Sequence, residues 1–360
     1  MLPRPLNFFL LPSAFVLFLG CLAACAPTGS SPSVDETIPV LSPAFATPRD
    51  TSDNVDSPAV WHGPEGQHWL IATAKEGDVL RVHDATDGSP IERVGGEGAA
   101  LGQFDRPNGV FVIDDLVVVV ERNNRRVQVL RLPDFTPLGV FGTEKLKRPY
   151  GLYVTPDSAD AYHIYVTDQY ELPNERIPPD RALGERVQQF RFQVRGDTLQ
   201  SAHVRAFGAT SGPGVLHVVE SLWGDPRNDR LLVAEEEEGD SKLMVYTMDG
   251  AFTGTIINAS FFPHQAEGVV LRGCPDGGGL WVTTDQGEGV NTFHAFDRAT
   301  LAPVGSFRID GVLNTDGIAL TSAAFGPFAA GAFYAVHDDG NTVGIDWAAI
   351  AEALAYRCGG

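Results

Sequence analysis

Glu220-Ser221-Leu222 opens the stretch on which the fold turns. A loop over Trp223–Asp229 follows, then an apolar run, Leu231-Leu232-Val233-Ala234, then Glu235-Glu236-Glu237-Glu238. A short apolar run bounded by Gly, Pro, Asn and Asp is a strand signal. A strand that ends in several acids gathers negative charge, which costs folding energy unless a cation or solvent offsets it. A carboxylate at a turn, followed by a strand with a polar end, is therefore a unit with chemical content, and it recurs.

Six such units align. Their openings are Asp56-Ser57-Pro58-Ala59-Val60, Asn108-Gly109-Val110, Tyr150-Gly151-Leu152, Glu220-Ser221-Leu222, Glu267-Gly268-Val269 and Asp316-Gly317-Ile318. Each leads to a second apolar strand with a polar end: Trp69–Ala74 before Lys75, Leu116–Val120 before Glu121-Arg122, Ile164–Thr167 before Asp168, Leu231–Ala234 before Glu235-Glu236, Leu280–Thr284 before Asp285-Gln286, and Ala332–His337 before Asp338-Asp339. A third strand usually follows. Recurrence at roughly 50 residues is the length of a four-stranded propeller blade. The one long spacing is absorbed by Tyr170–Arg186, which is Pro-rich and charged and reads as an inserted loop. Beyond Ile38 helical periodicity is almost absent, and Trp347–Tyr356 is the one good helix candidate. The expected fold is all-β: a single-domain, six-bladed β-propeller over residues 40–360, with Leu41–Thr47 completing the last blade.

The 360 residues carry 26 Lys+Arg against 46 Asp+Glu, a net charge of -20. That is the wrong sign for nucleic acid, whose binding needs basic surface to replace counterions. Residues 1–24 stand apart from the fold. Arg4 is their only charge, and Leu6–Leu22 is too short and too broken by Pro12 for a spanning helix. Leu22-Ala23-Ala24-Cys25 resembles a bacterial lipobox. The resemblance implies a lipoprotein signal peptide, lipidation of Cys25 as the mature N-terminus and, with Ala26 next, outer-membrane sorting in a Gram-negative host. A plain secretory signal with a chance Cys is the other reading. Residues 25–39, rich in Pro, Ser and Thr, read as a flexible tether. The expectation is thus an exported monomer that meets a membrane only through its lipid. Cys21 lies within the signal, which leaves Cys274 and Cys358 either to bridge the tail to the body or to remain two thiols.

In a propeller, equivalent positions of successive blades converge on the central channel. Four of the six opening residues are acids: Asp56, Glu220, Glu267 and Asp316. One acid beside a turn glycine is ordinarily a turn residue. Four in one ring repel, and so take up protons or recruit divalent cations. Oxygen-only ligands favour Ca²⁺ over zinc. Gly-x-Ser-x-Gly is absent, and His62, His264 and His294 show no partner pattern, which argues against serine- or histidine-based hydrolysis.

Asp56-Ser57-Pro58-Ala59-Val60-Trp61 resembles the Asp-Asp-Pro-Ala-Ile-Trp motif of β-propeller phytases. Tyr150-Gly151, the spacing of Glu220 from Ala234-Glu235-Glu236, Glu267-Gly268-Val269 with Thr283-Thr284-Asp285-Gln286-Gly287, and Asn314-Thr315-Asp316-Gly317-Ile318 are similar to further elements of that family. The match spans about Asp53–Asn341. It implies a Ca²⁺-dependent phosphomonoesterase of the 3-phytase type, which hydrolyses phytate or a related small phosphate ester by metal-activated water. It also implies Asp56, Glu220, Glu236, Glu267 and Asp316 as metal ligands, with Glu220 and Glu267 catalytic. Lys75, Arg122 and Tyr150 would contact substrate. Taken alone, Lys75 also reads as a surface turn residue, Arg122 as blade packing and Tyr150 as core.

The chain departs from that pattern at named positions. Ser57 replaces the second acid of the motif, Asp168-Gln169 stand where the family carries a Lys, and Ser221 follows Glu220. The second unit, Gly95–Leu130, resembles an NHL repeat instead. NHL propellers are often recognition scaffolds or non-phosphatase enzymes. Two other functions therefore stay open: a non-catalytic binding propeller at the cell surface, and a Ca²⁺-dependent lactonase or esterase. Cationic side chains facing the acids would mark the phosphatase, and a more apolar pocket the lactonase.

Overall fold

A computed structural model describes residues 37–359. The signal over residues 1–24, the lipidation at Cys25 and most of the tether lie outside the described residues. What is described is a six-bladed β-propeller. Blade 1 is built from Val55–His62, His68–Ala74, Val79–Asp84 and Pro90–Gly95, in that order from axis to rim. Blades 2, 3 and 4 open with Pro107–Ile113, Pro149–Ser158 and Val219–Asp225, and each has four consecutive strands. Blade 5 opens with Gln265–Gly273 and blade 6 with Ile318–Thr321.

The sequence of each strand fits its radial place. Leu116–Glu121, second in blade 2, is buried throughout, because its Val run packs against blades on both sides. Pro90–Gly95, at the rim of blade 1, is mostly exposed and carries Glu92 and Arg93, charges that protect an edge strand from pairing with another chain. The apolar core lies between blades. Trp61, Ile71, Leu80 and Val82 of blade 1 meet Val110, Val117, Val119 and Leu130 of blade 2. The ring closes where Leu70 and Ala85 meet Ala319, Phe328 and Tyr334.

The N-terminal closing segment divides its work. Phe45–Ala46 pairs antiparallel with Val343 and Gly344 and supplies the fourth strand of blade 6, whose third is Asn341–Asp346. Val40–Leu41 instead adds a parallel fifth strand to blade 5, with Val40 opposite Arg308. Only part of the 41–47 segment therefore completes the last blade. Gly344 makes room for this closure, since a Cβ there would lie 2.5 Å from the Phe45 ring. The helix is shorter than expected, Trp347–Ala353, capped by Asp346, which accepts from the Ala348 N–H at 2.9 Å. Cys274 and Cys358 are joined by a disulfide, with Cα atoms 5.5 Å apart. The inserted segment contains one short 3-10 turn, Asp180–Ala182, and is anchored by Tyr170, whose hydroxyl donates to the Ala182 carbonyl at 2.6 Å.

Candidate functional site

The small residue after each opening has a steric cause. A Cβ at Gly109 would lie 2.7 Å from the Tyr150 carbonyl oxygen, at Gly151 2.2 Å from that of Glu220, and at Gly317 2.3 Å from that of Asp56. Each innermost strand thus runs against the opening residue of the next blade. Ser57, Gly109, Gly151, Ser221, Gly268 and Gly317 together enclose an axial space of only about 50 Å³. The channel is pinched at this level, and the chemistry is confined to one mouth.

At that mouth two rings of side chains face one another. The first holds the opening residues. In five blades the strand register breaks at this point, as between Val55 and Pro58 or between Val219 and Leu222. Such a bulge re-aims the side chain. The second ring holds the residue at or just past the end of the second strand in five blades: Lys75, Arg122, Gln169, Glu236 and Gln286; in blade 6 the equivalent Asp338 pairs instead with Arg49. The residue before it serves the backbone in four blades. Glu121 accepts from the Asp105 N–H, Asp168 from those of Lys147 and Arg148, Glu235 from those of His217 and Val218, and Asp285 from that of His264.

This alternation separates the acids of the long run. Glu235 is a structural staple, and Glu236 is the channel residue. It also explains Asp168: burial pushes its carboxyl up to about 7, although the Lys147 amide and the Lys147 and Arg186 charges act against the shift. Asp168→Ala would leave the Lys147 and Arg148 amides without a buried acceptor, and a loss of about 2–4 kcal/mol in urea unfolding is expected. An unchanged midpoint would remove Asp168 from this structural role.

The expected site residues come together in two groups. Oxygens of Glu220, Glu236 and Glu267 lie within 4.8 Å of one another. Glu236 Oε1 is buried without a hydrogen-bond partner. Burial, then the neighbouring acids, hold the Glu236 and Glu267 carboxyls well above the usual range. Burial raises Glu220 to about 7, with Lys75 opposing the shift and Asp56 adding to it. An orphaned carboxylate oxygen in a compact all-oxygen set fits a hard cation such as Ca²⁺.

The second group surrounds Lys75. Its ammonium lies 2.7 Å from Asp56, 3.2 Å from Asp316 and 3.3 Å from the Tyr150 hydroxyl. Tyr150 donates to Asp56 at 3.1 Å, Ser57 donates to the other Asp56 oxygen at 3.0 Å, and Gln286 donates to Asp316. Burial alone would lower the Lys75 pKa, but Asp56 and Asp316 outweigh it and the net shift is upward. Burial raises Asp316 to about 8, Lys75 acting against it. Asp56 and Asp316 thus pair directly with an internal cation, whereas Glu220 and Glu267 feel Lys75 only at longer range, and neither they nor Glu236 form an ion pair among the described residues.

Arg122 stands 5.9 Å from the centre of the Tyr150 ring and leads outward. There it joins Arg106, Arg125, Lys147 and Arg148 around a groove of about 1000 Å³, walled by Tyr170 of the inserted segment. This groove was not foreseen from the sequence. Asp168-Gln169 replace an expected cation, yet Asp168 fixes the two residues, Lys147 and Arg148, that carry cations into the groove. Gln286 and Asn108 were also missed. Asn108 is fully buried in the first ring with both amide atoms unpartnered. The available signal was positional: each follows from its place in the repeat, not from its residue type.

No family model matches the chain, and no curated protein matches its sequence. Among solved structures, a chain of the nidogen/laminin complex is 12% identical, with 76% of this chain and 87% of that chain covered and a TM-score of 0.49. Regucalcin of Agrobacterium tumefaciens, described as a calcium-binding protein, is 11% identical, with 85% of this chain and 95% of that chain covered and a TM-score of 0.48. These are likenesses to other solved chains; the propeller itself is established by the strand order of this one.

Proposed function

We propose that the protein is a Ca²⁺-dependent hydrolase of a small phosphate ester, phytate or a related compound, acting at the mouth that holds Glu220, Glu236 and Glu267. One juxtaposition supports this reading: three clustered acids, Glu236 and Glu267 buried and Glu220 partly so, that form no ion pair among the described residues, beside a groove where Arg122 and Arg125 stand with Arg106, Lys147 and Arg148, the last three paired with Glu76, Glu185 and Glu171. Calcium bound there supplies charge neutralisation and Lewis-acid polarisation of the ester and of water. Arg122 reaches from the groove to the acids and holds phosphate oxygens through its fork. Lys75 and Tyr150 fix Asp56 and keep that side of the mouth in place. Left unneutralised, Glu220, Glu236 and Glu267 would repel a polyanion.

A second reading, a Ca²⁺-dependent lactonase or esterase, is favoured by the state of Lys75. Its ammonium is committed to Asp56 and Asp316 and does not face the groove freely. A carboxylic ester needs the metal centre and no further cation. Phosphate release from phytate, measured with Ca²⁺ and with chelator beside lactone hydrolysis, separates the two. Ca²⁺-dependent phosphate release that is lost in Glu267→Gln is expected. Lactone hydrolysis without phosphate release would replace the first reading by the second. Neither activity, from folded protein, would leave a binding propeller.

A further inference from the structure

At the end of the first strand of blade 1, far from the acids of the mouth, His62 stands opposite His68 across the hairpin. His62 shows no partner pattern in the sequence, yet the fold partners both of its ring nitrogens. Its Nδ1 lies 2.8 Å from the Nδ1 of His68, and its Nε2 lies 2.7 Å from the Thr321 hydroxyl of blade 6. Phe325, just beyond that blade 6 strand, packs against both imidazoles, with ring centres 4.8 and 4.9 Å away. Phe325 also belongs to the seam where Leu70 and Ala85 meet Ala319, Phe328 and Tyr334, and Phe45 of the closing segment packs on the same seam. The histidine pair therefore joins blade 1 to blade 6 where the ring closes. A contact between two ring nitrogens at that distance needs one N–H and one lone pair. Two neutral imidazoles supply them, and so do one neutral and one protonated ring. Two protonated rings cannot, because both nitrogens are then donors and both rings are charged.

We propose that His62 and His68 are a proton switch on ring closure: with at most one added proton they hold blade 1 to blade 6, and doubly protonated they part and loosen the seam. The groups that face them do not offset a second proton. From blade 6 these are Thr321 and Phe325, both neutral. In their own hairpin Glu65 is exposed at the turn and bonds there with Gln67. Burial, then His68, lowers the His62 pKa, and no carboxylate acts on it among the described residues. Once unfolded, each histidine takes up its proton near the ordinary 6.5, so below that value the unfolded chain binds more protons than the folded one. The stability the pair contributes is complete above 6.5 and is lost as pH falls from there through the lowered value. The channel acids, whose carboxyls are raised, act with the opposite sign.

The test compares thermal melting of the whole protein with that of His68→Asn, in chelator, at about pH 7.5 and about pH 5. The Asn amide still offers His62 Nδ1 a hydrogen-bond partner but takes up no proton, and the channel acids are common to both proteins. Between the two conditions the parent should lose at least about 3 °C more than the variant, and a smaller difference overturns the proposal. Hydrogen exchange locates the effect. The Ala44 and Thr47 amides, bonded to Gly344 and Thr342 in the closing contact, should lose protection at least about tenfold more in the parent than in the variant on acidification. Equal protection there overturns a switch on closure. Should His68→Asn fail to fold, ring-proton NMR of the parent decides. Two histidines in mutual contact should titrate in separate steps, the second at least about one pH unit below 6.5, and a single step near 6.5 overturns the proposal. Because the channel acids cancel in the comparison, either result leaves the phosphate-ester reading untouched.

Discussion

Glu236→Gln is expected to stabilise the metal-free protein and to weaken Ca²⁺ binding at least about 100-fold, two effects of opposite sign from one substitution. Without metal, Glu236 is buried against Glu220 and Glu267 and has an oxygen with no partner. A neutral amide removes one like charge and brings a donor that its neighbours can accept, worth about 1–3 kcal/mol. With metal, the same change deletes a charged oxygen ligand. The raised carboxyls add a pH signature. Burial pushes Glu220 up to about 7 in the folded state, against an ordinary 4.5, and burial and the neighbouring acids hold Glu236 and Glu267 well above 4.5. The folded state therefore binds more protons than the unfolded one between the two values, so stability falls as pH rises through that window. The melting temperature in chelator should drop from pH 5.5 to pH 8, Ca²⁺ should flatten that slope, and its binding should release protons. A pH-independent melting temperature in chelator, or a Glu236→Gln variant that still binds Ca²⁺ normally, would show that these acids do not form a cation site.

Lys75→Met should carry the largest loss of stability, about 3–5 kcal/mol in chelator at pH 8. The methylene stem is conserved in volume, so packing is nearly unchanged. What disappears is the one cation between Asp56, which is buried, and Asp316, which is mostly so, at 2.7 and 3.2 Å. The two carboxylates are then left in low dielectric with only Tyr150, Ser57 and Gln286 as donors. They should recover by binding a proton or a divalent ion, so the variant should gain more from Ca²⁺ and from low pH than the parent does. Urea unfolding with and without Ca²⁺ checks both statements. A loss below about 1 kcal/mol would mean that Lys75 is a surface charge in solution.

The six openings and the apolar runs behind them were legible because a period of about 50 residues carries its own register. The rule that puts Asp56, Tyr150, Glu220, Glu267 and Asp316 at one mouth is contained in that period. What the residues could not show was partition among equals. Glu235 and Glu236 differ by one place in a strand, hence by which face they take, and adjacent letters do not state which faces the axis. Lys75 reads as a cation for substrate until its distances to Asp56 and Asp316 show where its charge is spent. The groove is built from Arg106, Arg122 and Arg125 of one blade and Lys147 and Arg148 of the next, residues that share no motif.

The pairing of Phe45–Ala46 with Val343 and Gly344 sets the order in which the molecule can be finished. The contact joins points roughly 300 residues apart, a closure whose entropic cost grows only slowly with length but which needs both ends of the chain to be present. Until it forms, the strand Asn341–Asp346 presents an open row of backbone donors and acceptors. A second copy offers the same Phe45–Ala46 segment as the first. Capture of a chain's own early residues therefore competes with exchange between chains, and the competition is decided by concentration. Dilute refolding favours the closed ring, and crowded refolding favours swapped or aggregated ones.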